Sequence, residues 1–207
     1  KTMNKKNIIH PLFSILVGEF HNPNHQEIKN ELTEFFRKYE SENNISRDGV
    51  ENYNLYESKY NLHKEKNDAL FKVFTFMAGA FTAMIKNVNK AEFDKMENKN
   101  PKLDVEVKNS WFIRYNKGGF VMPHDHGQCS MSCVYYVKVA DDANFKNGST
   151  YFLRPYNRGS THNDFGGLKY VNNHMETFKA EEGKLIIWPS FMLHGSKPYL
   201  SDKERII

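Results

Sequence analysis

The chain has 207 residues, 39% of them hydrophobic and 26% charged, which is enough apolar content to bury one core. We therefore predict a single domain over residues 1–207. A formal net charge of +4, with lysines dispersed along the chain, argues against a nucleic-acid-binding protein. Neither a membrane-spanning apolar run nor a signal peptide is evident. Cys129 and Cys133, four residues apart in one predicted strand, are expected to be reduced core thiols, so we expect a cytoplasmic protein.

The N-terminal part of the sequence predicts one strand and one helix. Ile8–Phe20 is rich in apolar residues and suits an entering strand. Asn24 followed by Glu27 resembles a capping box, and it precedes an amphipathic helix of about four turns. The polar segment Glu42–Leu62 is predicted to be an irregular connection. The apolar residues of the helix recur at helical spacing: Ile28, Leu32, Phe35, Phe36 and Tyr39.

A second helix is predicted over Lys64–Val88 from a stripe of apolar residues three or four apart. Such a Phe- and Met-rich stripe is consistent with a cofactor-binding surface, but core packing is the ordinary explanation and is preferred here. A short helix, Ala91–Met96, and a polar breaker, Glu97–Pro101, follow. The stripe comprises Leu70, Phe74, Met77, Phe81, Ile85 and Val88.

From Leu103 onward the apolar period changes to two, which is typical of strands. The pattern predicts one unusually long strand up to Tyr115, a turn at Lys117–Gly119, and then a series of shorter strands. Arg154–Gly167 is predicted to be a long loop, of the kind that forms a lid or a substrate rim. The later strands are predicted at Ser130–Val139, Gly148–Leu153, Glu176–Lys179, Lys184–Trp188, His194–Pro198 and Glu204–Ile207.

These elements predict a mainly β (α+β) fold, in which N-terminal helices pack on one sheet of a sandwich or jelly roll. Residues 1–104 would supply the first strand and the supporting helices, and residues 105–207 the β core. Side chains two apart in a strand point to the same face, so His124 and His126 should project together. A jelly roll would bring His194 beside them, and three histidines would form a metal site.

The motifs of the second half resemble, in order, those of the iron(II)/2-oxoglutarate-dependent dioxygenases, and most of all the phage- and bacterium-encoded oxygenases of that superfamily. They cover residues 105–207 and imply a double-stranded β-helix (jelly roll) core. The matching stretches are Tyr115–Gly119, His124–His126, Ser132–Val137, Gly183–Ser190, His194 and Arg205.

The resemblance implies that His124 and His194 are ligands of Fe(II). The third ligand of the family is usually an Asp two residues after the first His, and here that position is His126. Either the site contains three histidines, or Asp125 turns inward as the carboxylate ligand; strand alternation favours His126.

The resemblance also implies the residues that hold the cosubstrate, 2-oxoglutarate. Arg205 matches the basic residue that binds the distal carboxylate, which a guanidinium can hold with two parallel hydrogen bonds. Tyr136 matches a tyrosine whose hydroxyl binds the same carboxylate, and Tyr115 matches a tyrosine of the pocket wall. Alternatively, Arg205 is a surface residue that forms an ion pair near Asp202. The two tyrosines could likewise be ordinary core residues.

The function implied is an Fe(II)- and 2-oxoglutarate-dependent dioxygenase that hydroxylates a small molecule or a protein side chain and releases succinate and CO2. A second hypothesis is a three-histidine metal enzyme that does not use 2-oxoglutarate, such as a cupin-like dioxygenase or a zinc hydrolase. A third is a jelly-roll binding module without turnover. The fold itself does not choose the acceptor substrate.

Overall fold

The computed structural model describes residues 14–43, 53–98, 101–155 and 173–207. The helices within these ranges are α1 (His25–Glu42), α2 (Asp68–Val88) and α3 (Lys90–Phe93), with a short 3-10 helix at Leu62–Lys64. The strands are β1 (Gly18–His21), β2 (Leu55–Glu57), β3 (Ile113–Tyr115), β4 (Val121–His124), β5 (Met131–Tyr135), β6 (Thr150–Leu153), β7 (Met175–Phe178), β8 (Lys184–Pro189), β9 (His194–Ser196) and β10 (Arg205–Ile206).

The strands form antiparallel sheets in the orders β1-β8-β5, β10-β3-β2 and β4-β9-β6-β7. A bridge between Lys138 and Ile206 connects the first two sheets into one layer. The third sheet is the opposing layer, so the β core is the predicted double-stranded β-helix. The single-domain assignment remains a prediction.

The side chains of β8 point alternately to its two faces, and each face packs against a different layer. Leu185 and Ile187 pack with α1 and α2, whereas Ile186 and Trp188 pack on the opposite side, against Phe152 of β6. Because both faces of β8 are covered, its apolar run is continuous. Full burial of each such side chain contributes about 1.5–3 kcal/mol.

The first long helix begins after Asn24, as predicted, but without the predicted cap, and the second begins later than predicted. Asn24 makes no side-chain cap hydrogen bond, and its own N–H donates to Oδ1 of Asn22 at 3.0 Å, so the predicted capping box does not form. α1 is also longer than four turns, with 18 residues. α2 begins at Asp68 rather than Lys64, because Oδ1 of Asn67 accepts the N–H of Leu70 at 2.8 Å.

The buried face of α2 is displaced from the predicted stripe. Phe74, Met77 and Phe81 are only partly buried, and Val88 is exposed. Leu70 is the one residue of the predicted stripe that is fully buried, and the alanines at 69 and 80 share the buried face. The buried residues are Ala69, Leu70, Val73, Ala80 and Met84.

α2 also corrects the expectation that no apolar run is long enough to cross a bilayer. It has 21 residues, and an 18-residue window reaches a mean hydropathy of 1.4, with 28% of that window buried. Its length and composition alone would allow it to span a membrane. One such helix is weak evidence for a membrane protein, because core helices of globular proteins can be equally long and apolar.

The predicted long strand ending at Tyr115 is mostly absent. Only Ile113–Tyr115 is a strand, because residues 101–109 have no strand partner within the described ranges; Val105 and Val107 are exposed there. The partner of β3 comes instead from Leu55–Glu57, inside the segment predicted to be irregular. Of the predicted first strand, Gly18–Phe20 is confirmed, and its beginning lies outside the described residues.

Candidate metal and cosubstrate site

His124 and His194 are direct partners across two strands. They form a register pair between β4 and β9, with ring centroids 4.3 Å apart. A register shift lies between Val121 and His124, where β4 ends. The fold therefore joins two histidines that are 70 positions apart in sequence.

His126 reaches the same place from the segment after β4, just before a turn at Gly127 and Gln128. β4 ends at His124, so the strand-alternation argument for the pair is wrong, although their ring centroids are 5.0 Å apart. The N–H of His126 donates to the carbonyl of Ser190 at 3.0 Å, which ties this segment to the end of β8. The hydroxyl of Ser190 contacts Ser132 Oγ at 2.8 Å and Cys129 Sγ at 3.0 Å.

The three histidines have the spacing of ligands to one cation. One ring nitrogen from each lies within 4.8 Å of the other two, and Nε2 of His126 is 3.2 Å from Nε2 of His194. Two nitrogens bound to one ion at about 2.1 Å would be roughly 3.0–3.4 Å apart, for ligand angles between octahedral and tetrahedral. Asp125 is exposed and lies outside this cluster.

Two backbone carbonyls fix which ring nitrogen is available. Nδ1 of His124 lies 2.9 Å from the carbonyl of Met122, and Nδ1 of His194 lies 2.9 Å from that of Met192. A carbonyl only accepts, so each Nδ1 carries the proton and each Nε2 keeps its lone pair. Outer hydrogen bonds of this kind orient histidine ligands in metal sites.

Burial favours the neutral form of His126 and His194. Desolvation lowers the pKa of His194 to about 3, and it also lowers the pKa of His126, with a smaller contribution from the neighbouring His124. An imidazole must be unprotonated to bind a metal. The site is therefore prepared for a cation at neutral pH, and the residues fit a divalent metal.

Arg205 is a buried cation without an acceptor. Its exposed fraction is 0%, and within the described residues Nε and both Nη atoms have no hydrogen-bond partner. The guanidinium lies over the Tyr115 ring, with Cζ 3.8 Å from the centroid. Asp202 pairs with Lys117 instead, so the surface ion-pair alternative is not what the structure shows. A buried, unpaired guanidinium is suited to bind an anionic ligand.

Gly148 makes room for that guanidinium. Its φ of +63° favours glycine, and a Cβ at this position would lie 3.4 Å from Nε of Arg205 and 3.1 Å from Tyr199. The Arg205 Cζ also lies 5.9 Å from the Tyr199 ring centroid. Sequence reasoning did not identify Gly148 or Tyr199 as neighbours of the guanidinium.

The two predicted tyrosines occupy the surroundings of Arg205. Tyr136 is fully buried, its ring centroid lies 6.0 Å from Cζ of Arg205, and its hydroxyl contacts Thr150 Oγ1 at 2.6 Å. Burial raises the pKa of Tyr136 to about 12, so the phenol keeps its proton. The Tyr115 hydroxyl is buried with no partner among the described residues. Thr150 was not predicted.

The sequence match agrees with this geometry. Residues 109–207 match the model of a family described as "putative 2OG-Fe(II) oxygenase". The matched region, just under half of the chain, is similar to the 2OG-Fe(II) oxygenases. It contains the three histidines, Arg205 and both tyrosines. No curated protein sequence matches the chain.

Several solved structures share the fold of this chain. A Pseudomonas putida prolyl-4-hydroxylase is 13% identical, with 94% of this chain and 90% of that chain covered and a TM-score of 0.57. HygX from Streptomyces hygroscopicus, solved with nickel, 2-oxoglutarate and hygromycin B, is 10% identical, with 93% and 80% covered and a TM-score of 0.55. SnoK, a non-heme alpha-ketoglutarate-dependent carbocyclase from nogalamycin biosynthesis, is 8% identical, with 92% and 76% covered and a TM-score of 0.61.

Two further predictions concern residues near this candidate site. Both cysteines are free, but Cys129 is exposed, so the expectation of two core thiols is wrong for it; the turn after His126 carries it to the surface. Burial raises the pKa of Cys133 to about 12. Most of the predicted Arg154–Gly167 loop lies outside the described residues, which include Arg154 and Pro155.

Sequence reasoning also passed over Trp188 as more than a core residue. Its ring centroid lies 4.6 Å from that of His194, and its indole Nε1 is buried without a partner in the part of the chain that the structure describes. A lone indole in an apolar strand carries no pattern that would mark it as part of a site.

Proposed function

We propose that the protein is an Fe(II)- and 2-oxoglutarate-dependent dioxygenase. In the overall reaction, 2-oxoglutarate, O2 and an acceptor C–H group give succinate, CO2 and the hydroxylated acceptor. Bound iron would supply the activation of O2 that organic side chains cannot provide. The observation that carries the proposal is the joint presence of a three-histidine cluster and a buried guanidinium without an acceptor.

His124, His126 and His194 are proposed to hold the iron. The available Nε2 lone pairs of His124 and His194 and the short Nε2 separation between His126 and His194 support this assignment. All three ligands are neutral, so the protein ligands leave the full charge of the ion uncompensated. An anionic cosubstrate would then bind with added electrostatic attraction.

Arg205 is proposed to bind the distal carboxylate of 2-oxoglutarate. A carboxylate would satisfy the N–H groups that are otherwise buried without acceptors, and a bidentate pair also fixes orientation. Tyr136 is proposed to donate its hydroxyl proton to the same carboxylate. The raised pKa of Tyr136 keeps that proton available, and the Tyr115 ring would limit the pocket beside the guanidinium.

The other hypotheses leave Arg205 without a role. A three-histidine zinc or cupin-like site needs no buried guanidinium, and a binding module without metal needs neither the guanidinium nor neutral imidazoles with aligned Nε2 atoms. For this reason we favour the oxygenase. The names of the similar structures include different acceptor chemistries, so the acceptor is not inferred from the fold.

Release of labelled CO2 from 2-[1-14C]oxoglutarate tests the proposal, even without the acceptor. Protein reconstituted anaerobically with Fe(II) should release CO2 and succinate in equal amounts when O2 is added, at a slow uncoupled rate. Protein prepared with Zn(II) should release none. Equal background rates for the Fe(II) and Zn(II) preparations, together with no binding of 2-oxoglutarate to either, would contradict the proposal.

A further inference from the structure

Trp188 places a hydrogen-bond donor in the interior without an acceptor. It lies in β8, where it shares a buried cluster with Ile186 and Tyr136, on the side away from α1 and α2. Its exposed fraction is 2%, and Nε1 has no partner within the described residues. An indole N–H can only donate, and buried donors are normally paired. The missing acceptor therefore calls for an explanation.

The position of the ring connects this donor to the candidate metal centre. The Trp188 ring centroid is 4.6 Å from that of His194 and 5.1 Å from that of Phe152. Phe152 is itself the register partner of His194 across β6 and β9. The indole is thus packed against one of the proposed iron ligands.

Arg205 supplies further buried donors that have no acceptor among the described residues, and its guanidinium lies near Tyr136. Tyr136 belongs to the buried cluster of Trp188, and its ring lies 6.0 Å from Cζ of Arg205. One unpaired donor therefore lies beside a proposed metal ligand and the others beside the proposed carboxylate site. A single ligand with oxygen atoms at both ends would satisfy both.

We propose that the indole N–H of Trp188 donates a hydrogen bond to an oxygen of the 2-oxo acid end of the cosubstrate, beside His194. This assignment rests on the proposed function. Trp188 is then a binding residue for 2-oxoglutarate, together with Arg205 at the opposite end. Phenylalanine at this position would keep the aromatic packing and lose the donor.

NMR of 15N-labelled protein tests the contact directly. The chain has two tryptophans, so the indole signals of Trp111 and Trp188 are assigned by comparison with Trp111→Phe. Zn(II) replaces iron, because it is diamagnetic and accepts the same histidine ligands. Saturating 2-oxoglutarate should move the Trp188 indole proton downfield, as expected when a carboxylate or keto oxygen accepts its hydrogen bond.

Trp188→Phe provides the second measurement. Calorimetric titration of the Zn(II)-loaded variant should show 2-oxoglutarate binding weakened about tenfold or more, the loss typical of a hydrogen bond to a charged group. The increase in melting temperature caused by 2-oxoglutarate should also be smaller in the variant. Each protein is compared with its own ligand-free form. Should the variant fail to fold, the NMR result on the unsubstituted protein decides.

The outcomes separate this inference from the proposed function. If 2-oxoglutarate binds and the Trp188 signal does not move, or Trp188→Phe binds it equally well, the inference is wrong and the oxygenase proposal stands. If the Zn(II)-loaded protein does not bind 2-oxoglutarate at all, both are wrong.

Discussion

Arg205 and Tyr115 are register partners on β10 and β3, and the guanidinium carbon lies 3.8 Å from the centre of the phenol ring. The ring face partly compensates for the buried positive charge through a cation–π contact. It does not satisfy the N–H groups, which point to no acceptor in the described protein. The N–H groups of this fixed cation are therefore suited to an anionic ligand.

Replacement of Arg205 by Met should affect the free and the ligand-bound protein in opposite directions. Binding of 2-oxoglutarate should weaken by at least a hundredfold, because the carboxylate loses a bidentate partner. The ligand-free protein should keep or raise its melting temperature, since a buried charge without a partner is removed. Calorimetry and thermal unfolding measure the two effects.

Arg37→Met is the matched control for that experiment. Arg37 makes a surface ion pair with Glu204 and is half exposed, so its loss should change stability by about 0–1 kcal/mol and leave 2-oxoglutarate binding unchanged. Equal affinity in Arg205→Met and the unsubstituted protein would remove Arg205 from the binding site.

The metal ligands can be distinguished by single substitutions. Alanine at His124, His126 or His194 should each reduce the Mn(II) retained after dialysis, because each removes one of three ligands. Asp125→Asn should retain the metal, since Asp125 is exposed and lies outside the cluster. Metal content by atomic emission measures this. Loss of metal in Asp125→Asn, with retention in His126→Ala, would instead make the carboxylate the third ligand.

Tyr136 and Thr150 should act as a coupled pair. Their hydroxyl oxygens are 2.6 Å apart and buried beside Arg205. Tyr136→Phe should weaken 2-oxoglutarate binding about fivefold to tenfold, the effect of one hydrogen bond. Thr150→Val should have a smaller effect alone and little further effect when combined with Tyr136→Phe, in a double-mutant cycle. Additive losses would mean that the two hydroxyls act independently.

His25 should make stability depend on pH. It is buried at the start of α1, where Nδ1 contacts the Tyr135 hydroxyl at 2.7 Å, and burial lowers its pKa below 6.5 despite the charge of Glu182. The unfolded state therefore binds more protons below pH 6.5. The stability contributed by neutral His25 is complete above that value and is lost as the pH falls toward the lowered pKa.

The comparison with His25→Asn isolates this contribution. Both proteins are loaded with Zn(II). As the pH is lowered below 6.5, the free energy of unfolding of the unsubstituted protein should decrease more steeply than that of the variant. The difference in slope is at most about 1.4 kcal/mol per pH unit, which corresponds to one proton. Denaturant unfolding at several pH values measures the slopes. Parallel slopes would show that His25 titrates alike in the folded and unfolded protein.

The sequence predicted well those features that depend on short-range periodicity. Apolar runs such as Lys184–Trp188 read as strands because both faces of β8 are buried. Pairing between distant strands is not visible in a local pattern. For this reason Val105 and Val107 suggested a strand that has no partner, whereas Leu55–Glu57, in a polar region, becomes a strand by pairing with β3.

In the candidate site, too, the local sequence pattern was informative, whereas contacts between distant residues were not visible in it. The spacing of His124 and His126 suggested a shared face, but the segment after β4, held by the Ser190 carbonyl, brings the second ring to the cluster. The proximity of His194 required the register of β4 with β9. Thr150, Gly148 and Trp188 carry no sequence signal, since their roles depend on which groups face them across the interior.

The central claim is that one cavity joins the three histidines to Arg205 through a metal ion and 2-oxoglutarate. Diffraction from a crystal soaked anaerobically with Mn(II) and 2-oxoglutarate tests it most directly. We predict one anomalous peak bound by His124, His126 and His194, with continuous ligand density from the metal to a carboxylate paired with Arg205. A metal held elsewhere, or 2-oxoglutarate density that does not reach the guanidinium, would contradict the account.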